Sequence, residues 1–238
     1  MDILRRASGG NRSVIWTFLS HVFNEQRDKI LRSHVQMTKK PWMKYREIEI
    51  IKEIIMRLCP RRCLEWGTGY STLFFPDLID TTSIWTSIEH NKKWAGKIRN
   101  MNSRPNVEIH YIPANRRPWR DAYGDGTYHE FKNYVDFPSG MEYFDLILVD
   151  GRAREPCLYK AHELIGEQGV VILHDANREK YHAPFDRFPD HLLFRDYRED
   201  VGGLWLGSKG GEIGGVLNVT RQVELWKLYN VLGTMVKM

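Results

Sequence analysis

From Ser13 to about Val35 the apolar residues Val14, Ile15, Phe18, Leu19, Val22, Phe23, Ile30 and Leu31 recur at three- and four-residue steps. That is the period of one helical face, and it predicts a helix ahead of the core. A second such run, Tyr45 to Leu58, carries Ile48, Ile51, Ile54, Ile55 and Leu58 and is stopped by Pro60. The pattern then changes to short apolar runs separated by helical stretches or loops. Strands are expected at Cys63–Trp66, Ile84–Glu89, Val107–Ile112, Phe144–Asp150 and Gly169–His174. The runs LILVD and VVILHD have no polar alternation, as in parallel strands buried on both faces, and each ends on an acid where the chain leaves the sheet. Leu192–Tyr197 and Gly203–Leu206 read as two more strands, close enough to pair antiparallel at the sheet edge. Val216 to Met238, with Val219, Val223, Trp226, Leu228 and Val231, is a helical tail. The expected fold class is therefore α/β: a doubly wound, mostly parallel seven-stranded sheet with an antiparallel edge hairpin and an N-terminal helical extension. Residues 1–45 form the extension, 46–210 the sheet domain and 211–238 the tail.

Composition narrows this picture without redirecting it. The 238 residues are 42% hydrophobic and 12% aromatic, which excludes disorder, collagen-like repeats and coiled coil. The 35 Lys and Arg against 30 Asp and Glu leave a formal charge of +5, modest for this length. Short runs such as Lys39-Lys40, Arg61-Arg62 and Arg116-Arg117 read as solvated faces, so nucleic acid is disfavoured as a partner. No apolar run reaches the ~20 residues of a membrane span, and the first residues lack a secretory pattern, which points to a cytoplasmic protein. Cys59, Cys63 and Cys157 contain no CxxC pair and are expected as free thiols. The stretch Pro113–Tyr143, rich in Gly, Asp, Tyr and Trp, is long for a connection. Its aromatics Trp119, Tyr123, Tyr128, Phe131 and Tyr134 suggest an ordered lid.

The candidate chemistry begins at Leu64-Glu65-Trp66-Gly67-Thr68-Gly69-Tyr70-Ser71-Thr72, two glycines one residue apart at an expected strand-to-helix turn. Missing side chains there let a ligand lie against the backbone. The third glycine of a dinucleotide fingerprint is replaced by the neighbourhood of Ser71 and Thr72, which disfavours NAD. Glu89 ends the next strand, 24 positions after Glu65, where a carboxylate can accept both hydroxyls of a ribose. Read singly, the glycines make a plain tight turn and Glu89 a solvated strand end; the ordered set favours a nucleoside ligand.

EWGTGYST, SIEH, FDLILVDG and GVVILHD, in this order over roughly Trp42 to Leu206, resemble the class I S-adenosylmethionine-dependent methyltransferases, whose sheet is Rossmann-like. The resemblance implies that Gly67, Thr68, Gly69, Ser71 and Thr72 lie beside the methionine part of S-adenosylmethionine and that Glu65 lies near its ammonium end. It places Glu89 on the ribose, His90 and Asn115 near the adenine, and Asp150 close to the cofactor.

Asp150 and Asp175 end adjacent core strands and, with Asn177, are expected to hold Mg2+ or Mn2+, which would lower the pKa of an acceptor hydroxyl. The arrangement resembles the metal-dependent catechol-type O-methyltransferases. Here Ala176 stands where those enzymes place an Asn ligand, leaving Asn177, His174 or water to complete the sphere. The VDG and HD pairs with Arg178 are more similar to sugar-directed O-methyltransferases acting on macrolide sugars and glucuronoxylan. The expectation is therefore methyl transfer to a sugar or glycan hydroxyl, with Asp150, His174 and Asp175 catalytic. Arg152, Arg154, Arg178 and His182 are expected to contact the acceptor, though Arg152 and Arg154 can equally pair with neighbouring acids; His174 or His182 serves as general base, the other reading of His174 being a hydrogen-bonded packing residue. The alternatives are a small phenolic or vicinal diol acceptor and a non-catalytic cofactor-binding module. The tail, through Trp226, either closes a homodimer or covers the sheet edge, the second being preferred.

Overall fold

A computed structural model describes residues 13–28, 40–117 and 124–235. Seven strands, β1 (Arg62–Trp66), β2 (Ile84–Glu89), β3 (Val107–Tyr111), β4 (Phe144–Val149), β5 (Ile165–His174), β6 (Asp190–Phe194) and β7 (Leu204–Ser208), form one sheet in the order β3-β2-β1-β4-β5-β7-β6. β1 to β5 are mutually parallel. β7 alone runs against the rest, pairing antiparallel with both β5 and β6. The expected α/β class, parallel core and antiparallel edge pair are all present. β1 lies between β2 and β4, so the chain order reverses there; such a reversal leaves a crevice beyond the carboxyl ends of the strands.

Both faces of the sheet are covered, which explains the uninterrupted apolar strands. In β4, Leu146 and Leu148 enter one core, while Ile147 and Val149 enter the other. The first core takes the isoleucines of α2 (Tyr45–Leu58), Ile98 of α4 (Lys92–Met101) and Trp226 of α8 (Val219–Met235). The second takes Phe131 and Tyr134 of α5 (Tyr128–Asp136) and Cys157, Leu158 and Ala161 of α6 (Arg154–Leu164). α2 starts where Glu47 accepts the Lys44 backbone N–H at 2.7 Å, and it ends at Cys59, whose left-handed backbone (φ 48°) turns the chain into Pro60. The first helix, α1 (residues 13–28), packs Val14, Phe18 and Val22 onto Leu225 and Tyr229 of α8, leaving Ile15, Leu19 and Phe23 exposed, and a short α7 (Ile213–Val216) precedes α8.

Two expectations are corrected. The stretch Pro113–Tyr143 is not simply a lid, because it contains α5, and Phe131 and Tyr134 are fully buried core residues. Trp119 and Tyr123, like Ile30 and Leu31, lie outside the described residues. β5 begins four residues before Gly169, at Ile165, which pairs with Phe144 across an irregularity in the ladder. The Trp226 ring does not face outward: it lies 3.9 Å from the Arg46 guanidinium, packs on Phe194 and donates from Nε1 to the Arg195 carbonyl at 2.6 Å. It covers the sheet edge, the preferred reading, and is not available to a dimer. Cys59, Cys63 and Cys157 are free thiols, as expected. Among the described residues no helix is long and apolar enough to cross a membrane.

The start of α2 is tied to the loop after β6 by Asp196. Its carboxylate, fully buried, accepts from Lys44 Nζ at 2.8 Å, from Arg46 and from Arg198 Nε at 3.0 Å. Burial alone would raise the Asp196 pKa; Arg198, Lys44 and Arg46 outweigh it and lower it from 3.8 to about 2. A carboxyl with a depressed native pKa stabilises the fold above its unfolded pKa and loses that stabilisation as pH falls through the folded one. Asp196→Asn should therefore cost about 2 kcal/mol at neutral pH, and the deficit should shrink between about pH 4 and pH 2. Urea unfolding of both proteins across that range checks this; a pH-independent deficit contradicts it.

Candidate active site

The glycine turn follows from what β1 must avoid as it leaves the sheet. Gly67 has φ +104° and donates its N–H to the Ile88 carbonyl at 2.9 Å. A Cβ on Gly67 would lie 2.6 Å from Cα and N of Gly151, so the first glycine of the turn and the glycine after Asp150 pack backbone to backbone. Gly69, at φ −166°, is ordinary extended backbone, and a Cβ there would meet only Ser71 Oγ, at 3.6 Å. Gly67 thus serves the fold, whereas Gly69 leaves open space above the start of α3 (Tyr70–Phe74).

Beneath the turn, Glu65 is completely buried. It accepts hydrogen bonds from Ser71 Oγ, from Thr72 Oγ1 at 2.7 Å, from Trp85 Nε1 at 2.9 Å and from Ser87 Oγ at 3.1 Å. Burial pushes its pKa up to about 7, against the opposing pull of those four donors. Glu65 and Thr72 therefore brace the turn from below, and Ser71, bonded to the same carboxylate, also lines the cleft. Glu65 does not line the cleft, because its oxygens are consumed inside the β1–α3 corner.

The cleft above holds about 490 Å³ and is walled by Gly67, Thr68, Gly69, Tyr70, Glu89 and His90 on one side. Asp150, Gly151, Arg152, Arg154, His174 and Asp175 form the other wall, within the size range of small-molecule sites. Glu89, 4% exposed, accepts the Asn91 N–H at 2.7 Å, and His90 Nδ1 lies 2.8 Å from the same oxygen. Trp94 donates from Nε1 to the Thr68 carbonyl at 2.6 Å and meets Trp42 and Tyr70 ring to ring at 5.6 and 6.1 Å, an aromatic rim at the mouth. Asn115 is not in this wall: its Oδ1 accepts the Asn133 N–H at 2.8 Å, which fixes it to α5.

At the strand ends β4 and β5 are in register, Val149 beside Leu173, so Asp150 and His174 come side by side. His174 Nδ1 lies 2.9 Å from Asp150 Oδ1, and its Nε2 lies 3.3 Å from Glu47 Oε2 on α2. Burial would depress the imidazole pKa, but Asp150 and Glu47 outweigh it and hold His174 well above the ordinary range. His174 is thus a buried imidazolium between two carboxylates, with no ring nitrogen free to act as a base. Asp175 sits in a left-handed conformation (φ 58°) and accepts the Gly202 N–H at 3.0 Å. Despite burial, His174, Arg154 and Arg178 lower its pKa.

Arg154 occupies the space between the two aspartates. Its Nη2 donates to Asp150 Oδ1 at 3.2 Å, and its Nη1 donates to Asp175 Oδ2 at 3.3 Å and to the His174 carbonyl at 2.6 Å. Burial works against its charge, but Asp150 and Asp175 more than compensate and raise its pKa. A divalent ion does not fit this donor set. Asp150 and Asp175 are already bridged by a guanidinium, and Asn177 is turned away: its Oδ1 accepts the Asp196 N–H at 2.9 Å, and its Nδ2 donates to the Asp196 carbonyl at 3.1 Å. Among the described residues no group of three His, Cys, Asp or Glu side chains is placed to hold a metal.

The other expected acceptor contacts divide. Arg152 lines the cleft, whereas Arg154 spends its fork on the protein itself. Arg178 donates to the Asp200 carbonyl and to Tyr181 Oη at 3.1 Å each, and His182 Nε2 lies 2.8 Å from the Ala176 carbonyl with its ring stacked on Phe185. Neither reaches the cleft, since both are fixed in the turn after β5. Sequence reasoning missed Glu47 and Trp42, which come from outside the strand pattern. For Arg154, pairing with neighbouring acids is the one of its two expected roles that the geometry shows.

A second cleft, about 520 Å³, adjoins the first and shares Trp42, Met43, His174 and Asp175 with it. Glu25, Lys40, Lys44, Tyr197 and Arg198 are among its other walls. A larger hollow of about 630 Å³ beside α5 and α6 contains none of the strand-end residues and is not the candidate.

No protein-family model and no curated protein matches the chain in sequence. Solved structures match its fold. A methyltransferase-like protein from Silicibacter pomeroyi superposes with a TM-score of 0.51 at 19% identity over 77% of this chain and 96% of its own. The O-methyltransferase from Bacillus cereus, in complex with SAH, gives 0.51 at 16% identity over 81% and 91%. Cofactor-bound Rv0187 from MTB gives 0.52 at 14% identity over 73% and 84%. At these identities the likeness is one of fold: a Rossmann-like sheet of the methyltransferase type.

The two glycines make opposite predictions. Gly67→Ala should lower stability by about 2 kcal/mol or more, through its positive φ and the clash with Gly151. Gly69→Ala should change it by less than about 0.5 kcal/mol. Thermal denaturation of the two variants side by side checks this, and equal losses would contradict the assignment of Gly67 to folding and Gly69 to the cleft.

Proposed function

We propose that the protein is an S-adenosylmethionine-dependent O-methyltransferase whose acceptor is a sugar or glycan hydroxyl. The observation that carries the reading is one crevice at the order reversal of the sheet, in which the glycine turn, Glu89 and the strand-end Asp150 and Asp175 share a single cleft. The fold likeness to the Bacillus cereus O-methyltransferase supports it.

When bound, S-adenosylmethionine supplies a methyl group on a positively charged sulfur. The chain's residues suit it: Glu89 can accept from ribose hydroxyls, Gly69 leaves room over the backbone, and the Trp42–Tyr70–Trp94 rim limits water at the mouth. The adjoining cleft takes the acceptor. Its exposed ring faces, Trp42 and Tyr197, beside Glu25, Lys40 and Lys44, combine apolar stacking with hydrogen-bonding groups, the mixture that a sugar presents in return. Asp175, which lines both clefts, orients the acceptor hydroxyl. Arg154 and His174 both bind Oδ1 of Asp150, so Oδ2 is the atom that takes the proton released as the oxygen is methylated. The buried His174 imidazolium holds Asp150 in place, a positioning role in place of the general-base role expected from sequence.

Calorimetry should show S-adenosylmethionine and S-adenosylhomocysteine binding to the wild-type protein, and Glu89→Ala should weaken both by about tenfold or more. Asp150→Asn should lower kcat by about two to four orders of magnitude. Its S-adenosylmethionine affinity should stay within about fivefold of wild type. Labelled-methyl transfer to a panel of oligosaccharides, phenols and RNA tests the acceptor; label found only in phenols or only in RNA overturns the sugar assignment, and absence of cofactor binding overturns the whole reading.

A further inference from the structure

We propose that Arg154 is a resident cation standing where a divalent metal would bridge Asp150 and Asp175, so that the chemistry at this strand-end pair runs without a metal ion. The guanidinium fork spans the two carboxylates, one Nη on each. Its remaining donors are used as well: Nε donates to the Gly151 carbonyl at 3.0 Å, Nη1 to the His174 carbonyl and Nη2 to the Asp150 carbonyl at 3.3 Å. Arg154 opens α6, and its backbone N–H is held by Asp125 Oδ2 at 3.2 Å, while the Ala153 N–H is held by the Asp125 carbonyl at 2.9 Å. A metal could enter only by expelling a 10%-exposed side chain from this set of bonds and leaving a guanidinium without its carboxylates.

Asn177, the expected third ligand, is committed elsewhere. Turning Asn177 toward the pair would break its hydrogen bonds to both the N–H and the carbonyl of Asp196, and with them the loop that follows β6. Hard divalent ions demand about six oxygen ligands in fixed geometry, and two committed aspartates do not supply them.

Charge points the same way; this step alone rests on the proposed cofactor. Asp150 and Asp175 balance Arg154 and the His174 imidazolium, so this part of the cleft wall carries no net charge. Adding a divalent ion beside Arg154 would turn that wall positive against a positive donor, a repulsion that a poorly solvated cleft amplifies. The guanidinium is fixed in charge and planar, which suits it to hold two carboxylates apart at a constant distance.

The test is Mn2+ titration of the chelator-treated full chain, followed by the electron paramagnetic resonance signal of free Mn2+. Wild-type protein should leave that signal undiminished at millimolar Mn2+. Arg154→Ala, which frees both carboxylates, should bind Mn2+ at least tenfold more tightly than wild type, and Asp175→Asn in that background should abolish the gain. Stoichiometric Mn2+ binding by the wild type that is lost in Asp175→Asn overturns the proposal, as does an Arg154→Ala protein that folds and gains nothing. Should Arg154→Ala not fold, the wild-type titration and Arg154→Lys, which keeps a cation there and should stay Mn2+-blind, decide the matter. Calorimetry with S-adenosylmethionine in the presence of EDTA separates the two readings: loss of cofactor binding refutes the proposed function and leaves the Mn2+ result standing.

Discussion

Two carboxylates set side by side at the ends of adjacent parallel strands repel each other, and everything around the crevice is arranged to contain that repulsion. β4 and β5 are in register, so Asp150 and the His174-Asp175 pair emerge together. Arg154 closes the gap from the first turn of α6, and His174 closes it from within the sheet. Removing Arg154 or His174 would leave these partly buried carboxylates short of partners, at a cost below the about 3–5 kcal/mol of a fully buried pair. The cluster is therefore as much a structural joint as a candidate site.

The joint reaches further than the sheet. His174 passes the connection to Glu47, which also caps α2 through the Lys44 N–H. The same end of α2 is fastened by Lys44 and Arg46 to Asp196, and Asp196 in turn fixes Asn177, two residues beyond Asp175. The two adjoining clefts share the wall made by His174, Asp175, Trp42 and Met43. A helix outside the strand pattern thus braces, through Glu47 and His174, the wall that the two clefts share. This explains why polar side chains that look available in the sequence, Asn177, His182 and Arg178 among them, are spent on holding the loop after β5.

The glycine turn follows a similar logic. Glu65, Ser71, Thr72, Trp85 and Ser87 form a closed polar knot under the turn, every donor aimed at one buried carboxylate. Fully satisfied buried networks specify a single arrangement and tolerate little change. The knot keeps the backbone at Gly67 in the one conformation that clears Gly151, and so holds the floor of the cleft rigid before any ligand arrives.

The amino-acid sequence by itself determined the strands, their parallel core, the antiparallel edge and the position of the crevice. Those follow from short-range information: apolar runs such as LILV and VVIL, the two-glycine turn, and acids where strands end. It placed Gly67, Gly69, Glu89, Asp150 and Asp175 in one cleft because order along a parallel sheet translates directly into position at its carboxyl edge. Only the tertiary structure decided what each polar group does once there. Glu65 and Asn115 face protein donors, α5 fills what read as a lid, and Arg154 takes the space expected for a metal. The reason is that the fate of a side chain is set by its partners, and those partners come from distant segments: Glu47 meets His174 from 127 positions away, a pairing no local pattern encodes.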